Sequence, residues 1–136
     1  MTDPSLVAKL QIRPGSRLLL LAAPEGSRAR IDPLPGGGTI DEAAVDGVEY
    51  DAVHLFCRGS AALAALTPTA VADYRTGGVL LASYPKGGAK AGTDLNRDRG
   101  WEPLTAAGFR PVRQMAIDDS WSALRWRREE EVVRSR

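Results

Sequence analysis

Residues 75–85, RTGGVLLASYP, decide the fold. The glycine pair predicts a turn, because glycine tolerates backbone angles that other residues avoid. The apolar run Val79–Ser83 predicts a strand, which tyrosine, proline, lysine and two glycines then end. Two similar runs occur earlier, at Leu18–Ala22 and Ala52–Cys57. Continuous apolar runs of this kind are typical of strands buried on both faces of a parallel sheet.

The segments around these strands predict helices. A short amphipathic helix is expected over Ser5–Leu10. A longer one is expected over Ala61–Tyr74, with Ser60 as its N-cap and with Pro68 ending or kinking it midway.

The C-terminal part of the chain predicts one more helix and a hairpin. Thr93 or Asp94 can cap a helix that runs through Ala107, and the glycine that follows suits a C-cap. Pro111–Ile117 and Ser122–Arg127 read as two strands, and their short link makes them antiparallel neighbours.

This order of elements predicts an α/β three-layer sandwich with a mostly parallel sheet and a C-terminal antiparallel hairpin. We expect one domain over residues 1–128 and a charged, flexible tail over residues 129–136. Prolines and glycines break residues 27–47, where a short strand near Thr39–Ile40 is the only element expected.

Composition excludes several classes of protein. The net charge of +1 gives little electrostatic attraction to nucleic acid or to anionic membranes. A single cysteine, Cys57, fits a reducing compartment. No apolar run approaches the ~20 residues that cross a bilayer, and residues 1–10 lack a signal core. The sequence therefore predicts a cytoplasmic protein without a membrane partner.

Three segments resemble the class I S-adenosylmethionine-dependent methyltransferase family. Tyr50–Leu55 looks like the family's fourth strand, which an aromatic residue and Asp often introduce. Arg75–Leu81 looks like the turn and fifth strand, and Val112–Arg127 would supply the sixth and seventh strands. The domain is shorter than usual, so the resemblance implies a reduced methyltransferase-like fold in which elements around Ser27–Gly47 are lost.

The loop after the first strand departs from that family. The family has an acidic–x–Gly–x–Gly loop there, whereas this chain has Ala22–Gly26. Pro24 has no N–H group to donate, and Glu25 brings a negative charge to the place of the cofactor's carboxylate. Asp32 and Asp41 are the candidates for the acidic residue that holds a ribose. No cofactor is therefore assigned from the sequence.

Polar residues that follow the predicted strands form the candidate site. Arg58 and Lys86 follow adjacent strands, so their side chains are expected to converge on a small anionic molecule at the carboxyl edge of the sheet. The segment after Lys86 adds polar groups and a glycine-rich loop. The candidate ligand-binding residues are Arg58, Tyr84, Lys86, Thr93, Asp94, Asn96 and Arg97.

Each of these groups also has a structural interpretation. Arg58 and Lys86 can be solvated charges or ion-pair partners of nearby aspartates. Thr93–Arg99 can be a capped, charged first helical turn. The glycine-rich loop before it can be a flap or only a flexible connector.

Other chemically active side chains favour structural roles. His54 lies inside a predicted central strand, which indicates packing more than acid–base catalysis. Cys57 has no partner base in the pattern, so a small core residue is expected. Asp118 and Asp119 suit the turn of the hairpin, and no His or Cys lies near them to complete a metal site.

The tryptophans and arginines of the C-terminal part allow nucleic-acid stacking as an alternative. In alternating strands, tryptophan more often packs inward and arginine faces water, so nucleic acid is not the expected partner. These residues are Trp101, Trp121 and Trp126 with Arg110, Arg113, Arg125, Arg127 and Arg128.

Two functions follow from these observations. The leading hypothesis is a methyltransferase-like binding or interaction module without methyltransferase activity, assembled as a homo-oligomer through a sheet edge or the hairpin. The alternative is an enzyme that uses S-adenosylmethionine in an unusual pose or holds another anionic small molecule at Arg58 and Lys86. Its catalytic residues are not identified by the sequence.

Overall fold

The computed structural model describes residues 4–96 and 98–130. Six strands and three α-helices follow one another, with short 3-10 turns at Arg28–Arg30, Pro35–Gly37 and Gly88–Ala91. The strands are β1 (Arg17–Leu21), β2 (Thr39–Asp41), β3 (Tyr50–Phe56), β4 (Tyr74–Pro85), β5 (Phe109–Ala116) and β6 (Trp121–Arg128). The helices are α1 (Pro4–Lys9), α2 (Ser60–Asp73) and α3 (Glu102–Ala106).

All six strands form one sheet in the order β2-β1-β3-β4-β6-β5. The first four strands in this order are parallel neighbours, and β6 pairs antiparallel with both β4 and β5. The predicted α/β fold with a mostly parallel sheet and a closing antiparallel hairpin is therefore confirmed.

Alternation along the strands divides the core between the two faces of the sheet. Leu19 and Leu21 of β1 face the cluster that α2 and α3 cover. Leu18 and Leu20 face the other cluster, which α1 and residues 23–40 cover. Because both faces of β1 are buried, its apolar run is continuous, as expected for a central parallel strand.

Of the two predictions for Pro68, that it ends the long helix midway is wrong, and that it kinks the helix stays a prediction. Helix α2 continues through Pro68 to Asp73, and its N-cap is Gly59 where Ser60 was expected. Proline removes one backbone hydrogen bond from a helix interior. Leu63 and Ala70, one on each side of Pro68, are fully buried, so packing holds both halves of α2 on the sheet.

The predicted helix from Thr93 or Asp94 through Ala107 is also wrong in its first half. Helix α3 covers Glu102–Ala106, and residues 93–101 form a loop. Gly100 has a φ of +93°, which is outside the helical region, so the segment before α3 cannot be regular helix. The expected glycine, Gly108, does follow the helix.

The expected short strand exists as β2, which pairs parallel with β1 at the edge of the sheet. Two short 3-10 turns take the place of the long crossover helix that usually joins such strands. At the other end of the chain, Glu129 donates its backbone N–H to the carbonyl of Gly108 at 2.8 Å. Residues 131–136 of the predicted tail lie outside the described residues. Within the described ranges, no helix is long and apolar enough to cross a membrane.

Candidate functional site

The order of strands defines a crevice at the carboxyl edge of the sheet. Strand β1 lies between β2 and β3 in the sheet. After β1 the chain forms β2 on one side of it, and then crosses over to form β3 on the other side. Connections that depart in opposite directions leave a gap above the strand ends, which is where α/β sheets bind ligands. The candidate site therefore lies above β1 and β3.

A cavity of about 270 Å³ occupies this gap. The loop after β1 forms one wall, α1 and β1 contribute leucines, and the tip of the β5–β6 hairpin closes the far side. The lining residues are Leu6, Leu10, Leu20, Pro24, Glu25, Gly26, Ser27, Arg30, Ile31, His54, Phe56, Ile117, Asp118 and Trp121. We call this cavity the crevice.

Three aromatic rings form a continuous wall of the crevice. The His54 and Phe56 rings are stacked, with centroids 4.3 Å apart. The Trp121 ring meets Phe56 edge-on at 5.1 Å. The guanidinium of Arg58 lies 5.2 Å from the centroid of Trp121, within cation–π range. Because the Phe56 and Trp121 rings are nearly perpendicular, the wall forms an apolar corner.

His54 is neutral in the folded protein. It is 2 % exposed, and its Nε2 lies 2.6 Å from the Oγ of Ser83, which is fully buried. Burial lowers the pKa of His54 to about 3. The ring is therefore a poor proton acceptor at neutral pH. The packing role predicted for His54 is consistent with its burial.

An ion pair joins the two walls of the crevice. Arg30 Nη1 donates to Asp118 Oδ2 at 3.0 Å, across 88 residues of chain. Asp118 Oδ1 accepts the N–H groups of Ser120 and Trp121, which confirms the predicted turn role. Burial tends to raise the pKa of Asp118, but these N–H groups and Arg30 lower it more, so it lies below its usual range. Arg30 and Asp118 therefore neutralise each other beside the crevice.

The loop after β1 does not fit S-adenosylmethionine in the way the family's glycine-rich loop holds it. Pro24 and Glu25 line the crevice where that loop would bring glycines close to the cofactor. The N–H of Ser27 is already used, because it donates to the carbonyl of Pro24 at 3.1 Å. The turn that follows, Arg28–Arg30, is three residues long and supplies little of the dipole that attracts anions to a helix start.

The acidic residue at the end of β2 is also engaged. Asp41 Oδ2 accepts hydrogen bonds from the Tyr50 hydroxyl at 2.6 Å and from Arg17 Nη2 at 2.9 Å. The hydrogen bond from Tyr50 and the charge of Arg17 hold the pKa of Asp41 below its usual range, although burial opposes them. Asp41 therefore stabilises the edge of the sheet and is not presented to a ribose.

Arg58 and Lys86 lie at the carboxyl edge, as the sequence predicts. Arg58 follows β3 directly after Cys57, and Lys86 follows β4. The backbone N–H of Lys86 donates to the carbonyl of Ser120 at 2.9 Å, which fixes the end of β4 to the hairpin. Neither side chain lines the crevice, and their joint binding of an anion stays a prediction.

The other predicted site residues have structural partners. Tyr84 is buried against Trp101, with centroids 5.4 Å apart, and its hydroxyl accepts a hydrogen bond from Gln114. Thr93 is also buried, and its Oγ1 accepts the N–H of Leu95. These contacts place both side chains in the core, and their part in ligand binding stays a prediction.

Asp94 serves helix α2. Its Oδ1 accepts the N–H of Ser60 at 2.7 Å, and its Oδ2 accepts the Ser60 hydroxyl. These hydrogen bonds hold the pKa of Asp94 below its usual range. Asn96 Oδ1 accepts the N–H of Asp98, which shapes the loop. Arg97 lies outside the described residues, so its predicted role stays open.

The remaining candidates agree with their structural interpretations. Cys57 is fully buried, and burial raises the pKa of its thiol to about 12, which makes it inert at neutral pH. Among residues 4–96 and 98–130, no group of three His, Cys, Asp or Glu side chains is placed to hold a metal ion.

Several of the solved structures similar to this chain are methyltransferases. The ribosomal protein L11 methylase of Lactobacillus delbrueckii subsp. bulgaricus is 10% identical over 92% of this chain and 76% of its own, with a TM-score of 0.56. The N-methyltransferase NodS of Bradyrhizobium japonicum WM9, in complex with S-adenosyl-L-homocysteine, is 12% identical over 90% of this chain and 83% of its own, with a TM-score of 0.58.

A third similar structure is the fibrillarin pre-rRNA processing protein of Methanococcus jannaschii, 14% identical over 87% of this chain and 68% of its own, with a TM-score of 0.55. No family model and no curated protein matches the sequence. Identities this low establish the fold alone. The chain therefore has a methyltransferase-like fold, as its sequence predicts.

Proposed function

We propose that this protein binds a small neutral or cationic molecule in the crevice, without the glycine-rich loop through which the methyltransferase family holds its cofactor. The observation that carries the proposal is the chemistry of the crevice lining. An aromatic wall and apolar side chains surround the cavity, and Glu25 adds a carboxylate. Such a mixture of apolar surface and a few polar groups is typical of small-molecule sites.

The charges of the lining favour a cation over an anion. Arg30 is neutralised by Asp118, and His54 carries no charge at neutral pH. Among the described residues, no ion pair includes Glu25. Its negative charge is therefore the net charge of the lining, and an anion there would be repelled.

The size of the cavity favours a ligand smaller than a dinucleotide. A volume of about 270 Å³ lies just below the range of ~300–1,000 Å³ usual for drug-sized ligands. A single ring system can pack into the corner between Phe56 and Trp121, with a short charged arm toward Glu25. These features support a compact aromatic amine as the ligand class.

A second candidate is methyl transfer from S-adenosylmethionine, which the likeness to solved methyltransferases supports at the level of the fold. The sulfonium of that molecule is a cation and agrees with the charge of the crevice. Pro24, the occupied N–H of Ser27 and the engaged Asp41 argue against its usual pose. Methyl transfer to any substrate would favour this candidate over ours.

The test compares two indole compounds of similar size and opposite charge. Tryptamine is expected to raise the melting temperature in a concentration-dependent way, whereas indole-3-acetate is not. The E25Q variant is expected to weaken tryptamine binding about two- to fivefold, the range of a solvent-exposed ion pair. E49Q, which removes another exposed carboxylate, is the matched control and should leave binding unchanged.

A second variant locates the site. Ser27 lines the crevice, so a tryptophan there (S27W) fills the cavity. The Ser27 side chain makes no capping hydrogen bond, so the substitution removes no such bond. Tryptamine binding should be lost in S27W and retained in A65W, where the tryptophan lies on the exposed face of α2. Equal binding of both indoles, or binding that survives S27W, contradicts the proposal.

A further inference from the structure

The β5–β6 hairpin places arginines directly opposite one another. Arg113 pairs with Arg125 across the two strands, and Arg110 pairs with Arg127. Like charges in directly opposed positions destabilise a sheet. Glu129 reduces the repulsion at Arg110, because its carboxylate accepts a hydrogen bond from Arg110 Nη2 at 3.3 Å. A repulsive arrangement of this kind calls for an explanation beyond the fold.

A fifth arginine, Arg13, lies near the hairpin arginines and shares a pocket with Arg125. Arg13, in the turn after α1, lines a pocket of about 370 Å³ together with Arg125 and Gln11. We call Arg13, Arg113 and Arg125 the arginine cluster. Within residues 4–96 and 98–130, no ion pair includes Arg13, Arg113 or Arg125.

Arg125 is the most constrained member of the cluster. It is half-buried, its Nε has no hydrogen-bond partner, and one Nη donates to Gln11 Oε1. Burial lowers its pKa, and the charges of Arg127, Arg13 and Arg113 lower it further. Gln11 itself has a φ of +60°, which is uncommon for a residue other than glycine. An unpaired, partly desolvated guanidinium is costly unless a ligand compensates it.

The carboxylate in the groove beside the arginine cluster is already paired. An adjoining groove of about 600 Å³ contains Arg13, Asp51 and Arg75. Asp51 accepts from Arg75 Nη1 at 2.7 Å and from the N–H of Arg17 at 2.9 Å. The positive charge of the arginine cluster is therefore left for a partner from solution.

We propose that the arginine cluster is a binding site for a small molecule that carries two or more linked phosphate groups. Guanidinium groups form paired, charge-assisted hydrogen bonds with phosphate oxygens. The pocket and the adjoining groove give such a molecule a partly enclosed place beside Arg13 and Arg125. This site lies at the amino edge of the parallel strands, near Val79, and is independent of the crevice at the carboxyl edge.

A single-stranded nucleic acid is the less favoured ligand of the same surface. Nucleic-acid sites usually add exposed aromatic rings for base stacking. Trp121 and Trp126, the aromatic residues of β6, are buried, at 8 % and 1 % exposure. The net charge of +1 also provides little long-range attraction for a long polyanion.

Isothermal titration with inorganic tripolyphosphate tests the proposal. R113Q removes an exposed guanidinium and should weaken binding by about tenfold, the usual effect of losing one charge-assisted hydrogen bond. R125M keeps the apolar stem and should abolish binding. Because R125M also removes the like-charge pair and the unpartnered Nε, it should raise the melting temperature of the ligand-free protein.

Three outcomes contradict the proposal. The first is the absence of saturable binding to the wild-type protein. The second is equal weakening by R99Q, a control that removes an exposed arginine in the loop before α3. The third is that the protein binds a single-stranded RNA oligonucleotide, with an affinity that falls steeply with salt, but does not bind tripolyphosphate.

Discussion

Acidification from about pH 7 to about pH 5 is expected to reduce the free energy of unfolding by about 2 kcal/mol through His54 alone. Burial lowers the pKa of His54 from 6.5 in the unfolded chain to about 3 in the folded protein. Between these two values the unfolded state binds a proton that the folded state does not. The stabilising contribution is therefore complete above the unfolded pKa and is lost as the pH falls toward the folded pKa.

Urea unfolding at a series of pH values measures this effect. The double variant H54F/S83A removes both partners of the buried hydrogen bond and should be flat between about pH 7 and about pH 5, a range above the usual pKa of carboxylates. The lowered pKa values of Asp41, Asp94 and Asp118 add further acid sensitivity only below that range. A wild-type protein as insensitive as the double variant would show that His54 is accessible and titrates normally.

The G78A variant is expected to lose about 3 kcal/mol or more of stability, the upper range for overpacking in a core. A Cβ atom at Gly78 would lie 2.5 Å from the carbonyl oxygen of Asp51 and 2.8 Å from that of Arg75. Both are backbone atoms of paired strands, so neither can move aside without breaking the register between β3 and β4.

The neighbouring glycine supplies a matched control. Gly77 has a φ of +86°, but a Cβ atom there would meet nothing within 4 Å. G77A should therefore cost only the ~1–2 kcal/mol of a left-handed residue. Chemical unfolding followed by tryptophan fluorescence ranks the two variants. A smaller loss for G78A than for G77A would mean that β3 and β4 do not approach as closely as described.

The fold was predictable from the sequence because its main signals are local. The buried strands are continuous apolar runs, and the hairpin is two strands of mixed polar and apolar residues joined by a short polar link. The turn predicted at the glycine pair before Val79 is wrong, because both glycines lie inside β4, beside a shift in the register between β3 and β4. The prediction failed where a long-range contact decided the outcome: Asp94 was expected to cap the helix that follows it, but it binds Ser60, 34 residues earlier.

The crevice was less predictable because its walls come from distant parts of the chain. The sequence indicated the correct edge of the sheet and the altered loop after β1. It did not show that Arg30 would pair with Asp118, or that Phe56 and Trp121 would meet. Two features of the sequence pointed to the crevice. One is the place of His54 inside a central strand, and the other is Pro24 in the loop after β1.

Charge decided the site assignment made from the sequence. Arg58 and Lys86 are conspicuous after their strands, and they led to the expectation of an anionic ligand, which stays a prediction. In the structure, Arg58 lies against the ring of Trp121. The carboxylate of Glu25, which counted in the sequence only as an obstacle to a cofactor, lines the cavity. The charge of a site therefore depends on which side chains neutralise one another, and that requires the structure.

A titration followed by methyl NMR tests the central claim most directly, because it reports where a small molecule binds. With tryptamine, we expect shifts at the crevice methyl groups of Leu20, Ile31 and Ile117, and none at Leu104 on the opposite face. S-adenosylhomocysteine should leave all four unchanged. Shifts at Leu20 and Ile31 with S-adenosylhomocysteine, or none there with tryptamine, would contradict the account.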